Sequence, residues 1–439
     1  MSLAPFAAIA VAAWLIFYLL VRAQAPRLFY DSTVFLEIAE QPWSWAQLFY
    51  PKPPLVPLVY RAIGTDPQVI VVAQSVLAIV AWSMFGAALA SVIERRSVRI
   101  AAVVIAALFA IAPTRIGFTH GVLSESINDS LQTIAFALAI LLAARLGREA
   151  GSATTRTRLL AGTLLVVAIL WMWTRDTNAV VVLVAVPAFV VMRWRAARRH
   201  GWLLAIGGLA IVNAMIVIWS TTVVPPATGL SVHERWPQDF TARKTYPTFN
   251  NISDRLRDPE AVAYFVERGM PQAEQLVLLG ARDQEIYLDP ALTPARRWIV
   301  ERAGSTYVSW LVRHPIAHVG QILGDLWTFL GVHKQHVYMP PGWTRHTTVV
   351  RWVRAATETK IVVILLLLAC PFAFRRTERH PVTVVAGVLI LSGVIGCAAS
   401  YYGDSLERAR HCYAAGQQVI VGLVLAVLVR VDLFVRRRR

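Results

Sequence analysis

Residues 67–93 read PQVIVVAQSVLAIVAWSMFGAALASVI and contain no charged side chain. A helix needs about 20 apolar residues to cross the hydrocarbon layer of a membrane, and this run is long enough. Only helices and closed β-barrels satisfy every backbone hydrogen bond in lipid, and a continuous apolar run favours the helix. The run therefore predicts a membrane-spanning helix.

Similar apolar runs recur along the whole chain, which has 439 residues, 56% of them hydrophobic and only 16% charged. A soluble domain would carry about 25% charged residues, so we predict an all-α integral membrane fold with about ten transmembrane helices. The predicted spans are residues 4–22, 67–93, 100–114, 122–144, 159–174, 177–192, 202–224, 359–374, 382–400 and 413–434. The first span is interpreted as a retained helix, because it lacks a basic leading segment and a clear small-residue cleavage site.

The distribution of charge predicts how these helices are oriented. The net charge is +17, but the basic residues lie in short clusters between apolar runs, which argues against nucleic acid as a partner. With both termini in the cytoplasm, the inward-facing loops are residues 94–99, 145–158, 193–200, 375–380 and 430–439. These loops hold 19 basic and 4 acidic residues, so 15 of the 17 net positive charges lie on one side. By the positive-inside rule, the chain is expected to be a multi-pass protein of the inner (plasma) membrane.

Two polar segments are too long to be simple turns. Residues 23–66 and residues 225–358 are both predicted to lie outside the cytoplasm. They divide the chain into an N-terminal transmembrane module (1–224) that carries the loop 23–66, an extracytoplasmic helical region (225–358) and a C-terminal transmembrane module (359–439). Residues 310–330 are amphipathic and predict one interfacial helix lying along the membrane.

The first polar segment carries the most informative motif. Asp31 lies a few residues past the first span, Glu37 follows six residues later, and Lys52-Pro-Pro-Leu comes before the second span. Prolines in first-turn positions favour a helix start after Lys52. The segment therefore predicts two short interfacial helices that present carboxylates and an ammonium group to a shared surface.

Further polar residues lie at the predicted outer ends of later spans. Glu125 and Asp129 are four residues apart at the start of the fourth span, so they share one helix face. Carboxylates at membrane depth are costly and usually functional, and these two could ligate a divalent metal ion or pair with Arg115. Other basic candidates are Arg175, between the fifth and sixth spans, and Arg408, Arg410 and His411, which lead into the last span.

The layout of one N-terminal span, an acidic residue just outside it, an interfacial helix and Lys52-Pro-Pro-Leu resembles the GT-C superfamily of glycosyltransferases. It is most similar to the family 39 protein mannosyltransferases and the lipid A aminoarabinose transferases, which pass a sugar from a polyprenyl phosphate to an acceptor outside the cytoplasm. Family members typically carry Asp-Glu where this chain has Asp31-Ser32. The resemblance covers the layout of the first two hundred residues, and its motifs lie within residues 28–60 and 118–130.

The resemblance implies a role for each candidate residue. Asp31 would act as the general base, and direct displacement by the acceptor hydroxyl would invert the anomeric centre. The expected ligands of the donor phosphate are Lys52, Arg115, Arg175, Arg408 and Arg410. The expected sugar or acceptor ligands are Glu37, Glu125, Asp129 and His411. The implied partners are membrane lipids, a polyprenyl-phosphate-linked sugar, and an acceptor that is a lipid, a polysaccharide or a protein.

Two other classes of protein remain open at this point: a transporter or flippase of lipid-linked sugars, and a non-catalytic scaffold of cell-envelope assembly. A transporter would predict charged residues in mid-helix and related halves with broken helices, and the sequence has almost no such charge and no internal repeat. Lys52 also has a structural interpretation, as an interfacial lysine that extends its amine toward the headgroups. No cofactor is certain. A divalent ion held by Glu125 or Asp129, or by His333 and His336, is the candidate.

Overall fold

The computed structural model describes residues 25–50, 52–148, 154–192, 200–224, 242–279, 289–332, 352, 353, 355, 357, 360–374, 381–404 and 408–437. The predicted first span and the predicted site at His333 and His336 lie outside these residues. Most of the described backbone is helical, and one isolated bridge between Arg27 and Gly121 is the β-type pairing within it. The predicted all-α class is confirmed.

The described helices are short near the first polar segment and long from residue 67 onward. In the first half of the chain they are α1 (Tyr30–Glu40), α2 (Leu55–Ile63), α3 (Pro67–Val92), α4 (Arg96–Ala110), α5 (Pro113–His120), α6 (Ser124–Arg148), α7 (Thr155–Met172), α8 (Asp176–Met192) and α9 (Gly201–Ser220). In the second half they are α10 (Thr245–Arg255), α11 (Pro259–Val266), α12 (Ala273–Leu279), α13 (Thr293–Trp298), α14 (Gly304–Arg313), α15 (Pro315–Gly324), α16 (Leu326–Phe329), α17 (Lys360–Phe374), α18 (Pro381–Gly403) and α19 (Arg408–Arg437).

Six of the described helices are long and apolar enough to cross a membrane: α3, α6, α7, α9, α18 and α19. A seventh span results if α4 and α5, which are bent by 47° at a short break, cross together. Helices α8 and α17 are apolar but shorter. The helical membrane architecture is thus confirmed, while the total of about ten spans stays a prediction.

Helix α6 lies at the centre of this bundle. In its most apolar stretch 67% of the residues are buried inside the protein, compared with 22% in the corresponding stretches of α7 and α9. The exposed apolar side chains of α9 include Leu209, Val212 and Met215, which is typical of a surface that faces lipid. The two peripheral helices therefore provide lipid-facing surface, and α6 packs against neighbours on most sides.

Opposite ends of the long helices meet different parts of the chain. At one end, the backbone N–H groups of Glu94 and Arg95 donate to the buried Asp432 carboxylate at 3.3 and 2.8 Å, so the turn between α3 and α4 rests on the end of α19. At the other end, Arg410 near the start of α19 contacts Glu125 near the start of α6 at 2.7 Å. The turn at residues 93–95 and the α1–α2 segment therefore lie at opposite ends of the bundle.

Two predicted elements differ from those in the structure. The predicted span 100–114 ends early, because Ala112 is extended and Pro113 starts α5 at a new angle. The predicted interfacial helix 310–330 is three helices, α14, α15 and α16. Proline lacks the backbone N–H that a continuous helix needs, and Pro315 therefore forces a new start at His314. A second break follows at Asp325.

Candidate active site

A polar cleft of about 630 Å³ opens at the end of the bundle where α6 and α19 begin. Its wall comes from the start of α1, the turn before α2, the α7–α8 turn, the residues leading into α10, the end of α18 and the start of α19. The basic residues on the wall are Lys52, Arg175, Arg243, Lys244 and Arg410, and the acidic residues are Asp31, Asp176 and Asp404. Cations therefore outnumber carboxylates among the wall residues, which suits an anionic ligand.

Asp31 is held between two cations in this cleft. Its Oδ1 lies 2.6 Å from Lys52 Nζ, and its Oδ2 accepts a hydrogen bond from Arg410. Burial by itself would raise the pKa of Asp31, but Lys52 and Arg410 outweigh burial and hold this pKa well below its usual range. The side chain stays 18% exposed, so a ligand in the cleft can reach it.

Hydrogen bonds fix Asp31 and Lys52 relative to each other. The hydroxyl of Ser32 accepts from Phe29 N at 2.8 Å and donates to Val122 O at 2.7 Å, which ties the start of α1 to the turn before α6. Arg61 of α2 donates to the last carbonyls of α1 at Ile38 and Ala39, both at 3.0 Å. Ser32 thus has a structural task at the position where family members carry the second acid of Asp-Glu.

Behind Asp31, Glu125 joins the predicted site residues into one network. Glu125 Oε1 lies 2.7 Å from Arg410 Nε and 3.5 Å from Arg175 Nη1, and its side chain is only 3% exposed. Arg175 Nη2 lies 3.2 Å from His411 Nδ1. Arg410 therefore bridges two carboxylates and connects α1, α6 and α19. A buried acid with two guanidinium neighbours stabilises the cations that line the cleft.

Two wall residues that the sequence analysis did not select form a further ion pair. Arg243 Nε lies 2.9 Å from Asp176 Oδ2, and Arg243 Nη2 donates to Ser220 Oγ at 2.7 Å. Arg243 belongs to the long polar segment, in which no motif marked it. Lys244 beside it is exposed and forms no ion pair with a described carboxylate.

Four predicted site residues lie away from the cleft wall. Arg115 and Asp129 pair with each other at 2.6 Å inside the bundle, and the Arg115 guanidinium lies 4.2 Å from the Trp82 ring centroid. Arg408 pairs with Asp254, and Glu37 lies half-buried beyond the wall on α1. The structure thus brings together Asp31, Lys52, Glu125, Arg175, Arg410 and His411, and separates the other four from them.

The predicted metal ligands are engaged by arginine. Glu125 faces Arg175 and Arg410, while Asp129 faces Arg115, so the two carboxylates bind different partners. No group of three or more His, Cys, Asp or Glu side chains is placed to hold a metal ion among the described residues.

No protein-family model and no curated protein sequence matches the chain. Among solved structures, it is similar to the oligosaccharyltransferase of Archaeoglobus fulgidus tethered with an acceptor peptide, with 11% identity and a TM-score of 0.46 over 96% of this chain and 49% of that one. It is also similar to AglB from Archaeoglobus fulgidus in complex with an inhibitory peptide and a dolichol-phosphate, with 11% identity and a TM-score of 0.44 over 98% and 51%.

A third similar structure is ArnT from Cupriavidus metallidurans bound to undecaprenyl phosphate, with 13% identity and a TM-score of 0.33 over 98% of this chain and 77% of that one. The chain spans about half the length of the two Archaeoglobus fulgidus chains. These matches agree with the GT-C resemblance of the motifs at the level of the overall fold.

Proposed function

We propose that the chain is a membrane glycosyltransferase that moves a sugar from a polyprenyl-phosphate donor to an acceptor hydroxyl outside the cytoplasm. The observation that carries this proposal is the position of Asp31, a partly exposed carboxylate held between Lys52 and Arg410 in a cleft with more cations than acids. A base next to phosphate-binding cations is what sugar transfer from a lipid phosphate requires.

Lys52, Arg410 and Arg175 are the proposed ligands of the donor phosphate. Arginine and lysine form strong charge-assisted hydrogen bonds to phosphate oxygens. In the absence of donor, Lys52 and Arg410 are occupied by Asp31. The donor phosphate therefore competes with Asp31 for the same two cations.

This competition links donor binding to the strength of the base. The two cations hold the pKa of Asp31 low, so the carboxylate is a weak base before the donor binds. A phosphate that takes over Lys52 and Arg410 neutralises them, and the pKa of Asp31 then rises. Asp31 becomes better able to accept the acceptor proton once the donor is in place. Direct displacement of the phosphate would invert the anomeric centre.

The test is to incubate membranes that contain the chain with a panel of radiolabelled polyprenyl-phosphate sugars and to identify the labelled product. Transfer of label into a glycoside, with release of polyprenyl phosphate, is the expected result. Label that crosses the membrane while still attached to its lipid would identify a flippase instead and overturn the proposal. Membranes with the Asp31→Asn chain provide the background.

A further inference from the structure

A second cleft, of about 810 Å³, adjoins the first. The two share Lys244, Thr248 and Gly403 as wall residues, so they are continuous at that junction. The second cleft extends between α10, α14 and the π-helical turn Ile299–Ala303, away from the start of α6. It is therefore a route by which a second substrate could reach Asp31 without displacing the donor phosphate.

The chemistry of the second cleft differs from that of the first. Its charged wall residues are one cation and one acid, Lys244 and Glu301. Its other polar wall residues are neutral hydroxyl and amide side chains, together with Tyr307 and Tyr402. A phosphorylated or carboxylated ligand would need an excess of cations, and a lipid would need a mostly apolar wall. The wall instead suits a neutral ligand rich in hydrogen-bonding groups.

Two buried polar atoms on this wall have no hydrogen-bond partner. They are the hydroxyl of Thr245, a residue that is 2% exposed, and the Oδ1 atom of Asn251, a residue that is 4% exposed. The Asn251 amide group is fixed in place, because its Nδ2 donates to Gly403 O at 2.9 Å. Buried polar groups in proteins are nearly always hydrogen-bonded, so atoms left unpaired at a cleft wall point to a ligand that pairs with them.

We infer that the second cleft is the acceptor subsite and that it binds a neutral carbohydrate chain through Thr245 and Asn251. Sugar hydroxyls can donate to Asn251 Oδ1 and can both donate to and accept from the Thr245 hydroxyl. Tyr307 and Tyr402 add aromatic surface with a polar tip. This inference rests on the proposed function, since an acceptor subsite needs a transfer reaction.

In the reaction that follows, an acceptor hydroxyl passes the junction at Lys244 and Thr248 and reaches the donor in the first cleft. Its oxygen forms a bond to the anomeric carbon, and the bond from that carbon to the phosphate oxygen breaks. The phosphate leaves as polyprenyl phosphate and keeps the electron pair of the broken bond. The hydroxyl proton goes to Asp31, so atoms and charges balance.

Binding of neutral oligosaccharides to the full chain tests the subsite directly. The probes are linear mannose and arabinose tetrasaccharides, and saturation-transfer NMR on the chain in lipid nanodiscs without donor is the measurement. We expect at least one of them to bind. Thr245→Val should lower that affinity about three- to tenfold, the usual cost of one lost hydrogen bond, whereas Thr245→Ser should retain it. Absence of binding to the parent chain, or equal affinities of the Val and Ser variants, would overturn the inference.

Thr163→Val is the matched control. It makes the same chemical change on α7, where the hydroxyl already donates to Leu159 O at 3.0 Å, and it should bind like the parent chain. Thermal unfolding of each variant checks that it is folded, and Thr245→Val should remain stable because it removes a buried hydroxyl that has no partner. A peptide containing serine and threonine is the competing probe. If it bound in a Thr245-dependent manner and the sugars did not, the acceptor would be a protein and the carbohydrate assignment would be wrong.

A kinetic arm separates failure of this inference from failure of the proposed function. With an active donor, Thr245→Val should raise the KM for acceptor by about three- to tenfold and leave the KM for donor unchanged. Transfer with an unchanged acceptor KM would refute the subsite and leave the glycosyltransferase assignment intact. Oligosaccharide binding without transfer from any donor would refute the glycosyltransferase assignment, and with it the acceptor role of the cleft.

Discussion

At the scale of single residues, Asp31 is the group whose chemistry the proposed reaction needs. Its charge is stabilised from both sides by Lys52 and Arg410, and no other described carboxylate on the cleft wall contacts two wall cations in this way. The arrangement gives Asp31 two tasks: it keeps the phosphate-binding cations in position before the donor arrives, and it takes the proton afterwards. Substitution should separate these tasks.

Asp31→Asn keeps the shape of the side chain and removes the base. We expect transfer to fall by about two orders of magnitude or more, which is a usual contribution of a general base. Donor binding should remain, because Lys52 and Arg410 lose a competitor for the phosphate. Single-turnover rates and donor binding give the two readouts. Glu40→Gln removes a charge from the exposed end of the same helix and is the control. Loss of donor binding in Asp31→Asn would make Asp31 a structural residue.

Lys52 is expected to act as a positive charge with modest geometric demand. Lys52→Ala should raise the KM for donor about tenfold or more, as expected for loss of a charged hydrogen bond, and Lys52→Arg should recover part of that loss. The comparison of donor KM in the two variants at low ionic strength is the measurement. Unchanged donor kinetics in Lys52→Ala would reduce Lys52 to an anchor at the membrane interface.

The ion pairs of Asp31 also predict how stability depends on pH. In the unfolded chain an aspartate has a pKa near 3.9, and in the folded chain the pKa of Asp31 is lower. The stabilisation is therefore fully present above the unfolded pKa and is lost as the pH falls toward the folded pKa. The gap in Tm between the parent chain and Asp31→Asn should be constant from about pH 8 to about pH 5 and shrink below about pH 4. A gap that shrinks near neutral pH would mean that the two cations do not hold Asp31.

The sequence places Asp31 and Lys52 together because both flank short helices of one loop, and the structure agrees. It cannot place Arg410, which lies 379 residues from Asp31 along the chain and contacts it only through the packing of α19 on α6. The same limit applies to Arg243, which no motif marks. Arg115 and Asp129 show the converse: their charge made them candidates, yet they satisfy each other in the bundle interior.

At the scale of elements, helices α18 and α19 form a close pair whose glycines leave no room for a side chain. A Cβ atom on Gly422 would lie 2.8 Å from Ile390 Cγ1 and 3.0 Å from Ala386 O. Small residues of this kind let membrane helices approach closely. The pair carries Asp404 and Arg410 at its cleft end, so its packing positions one side of the site.

Gly422→Ala should therefore destabilise the chain, by about 1–3 kcal/mol if the cost resembles that of an overpacked core. Gly162→Ala on α7 is the matched control, because a Cβ there meets nothing within 4 Å. Thermal unfolding of both variants in the same detergent is the measurement, and only Gly422→Ala should lower the Tm. Equal Tm values for the two variants would show that the helices separate enough to admit a methyl group.

Element boundaries were predictable where local chemistry marks them. Asp66 caps α3 through hydrogen bonds from Gln68 N and Val69 N, and Pro67 occupies the first turn, so the start of the predicted span 67–93 is matched. The apolar pattern alone could not show that Pro113 and Pro315 break the elements around them. A proline can lie in the first turn of a new helix or kink an existing one, and tertiary packing decides between the two.

At the scale of the whole molecule, the described helices separate two surfaces. One carries the cleft and the α1–α2 segment, and the other carries Arg95 and the end of α19. Helix α3 links them with 26 residues, about 39 Å at 1.5 Å per residue, which exceeds the roughly 30 Å hydrocarbon core. Residues at its two ends therefore lie on opposite sides of the membrane.

Labelling of engineered cysteines tests which side is which. We expect Thr65→Cys, just before α3, to react with a membrane-impermeant thiol reagent added outside the cell, and Ser97→Cys, beyond its other end, to react only after the membrane is opened. The physical reason is that Ser97 lies in one of the five basic loops that hold 15 of the 17 net positive charges, and such loops stay in the cytoplasm. The parent chain, whose cysteines Cys397 and Cys412 are buried and Cys370 half-buried, gives the background. Labelling of Ser97→Cys from outside would invert the orientation and make the cleft face the cytoplasm. The proposed transfer would then need its donor and acceptor on the cytoplasmic side, so this measurement decides which cellular pool of lipid-linked sugar the cleft can reach.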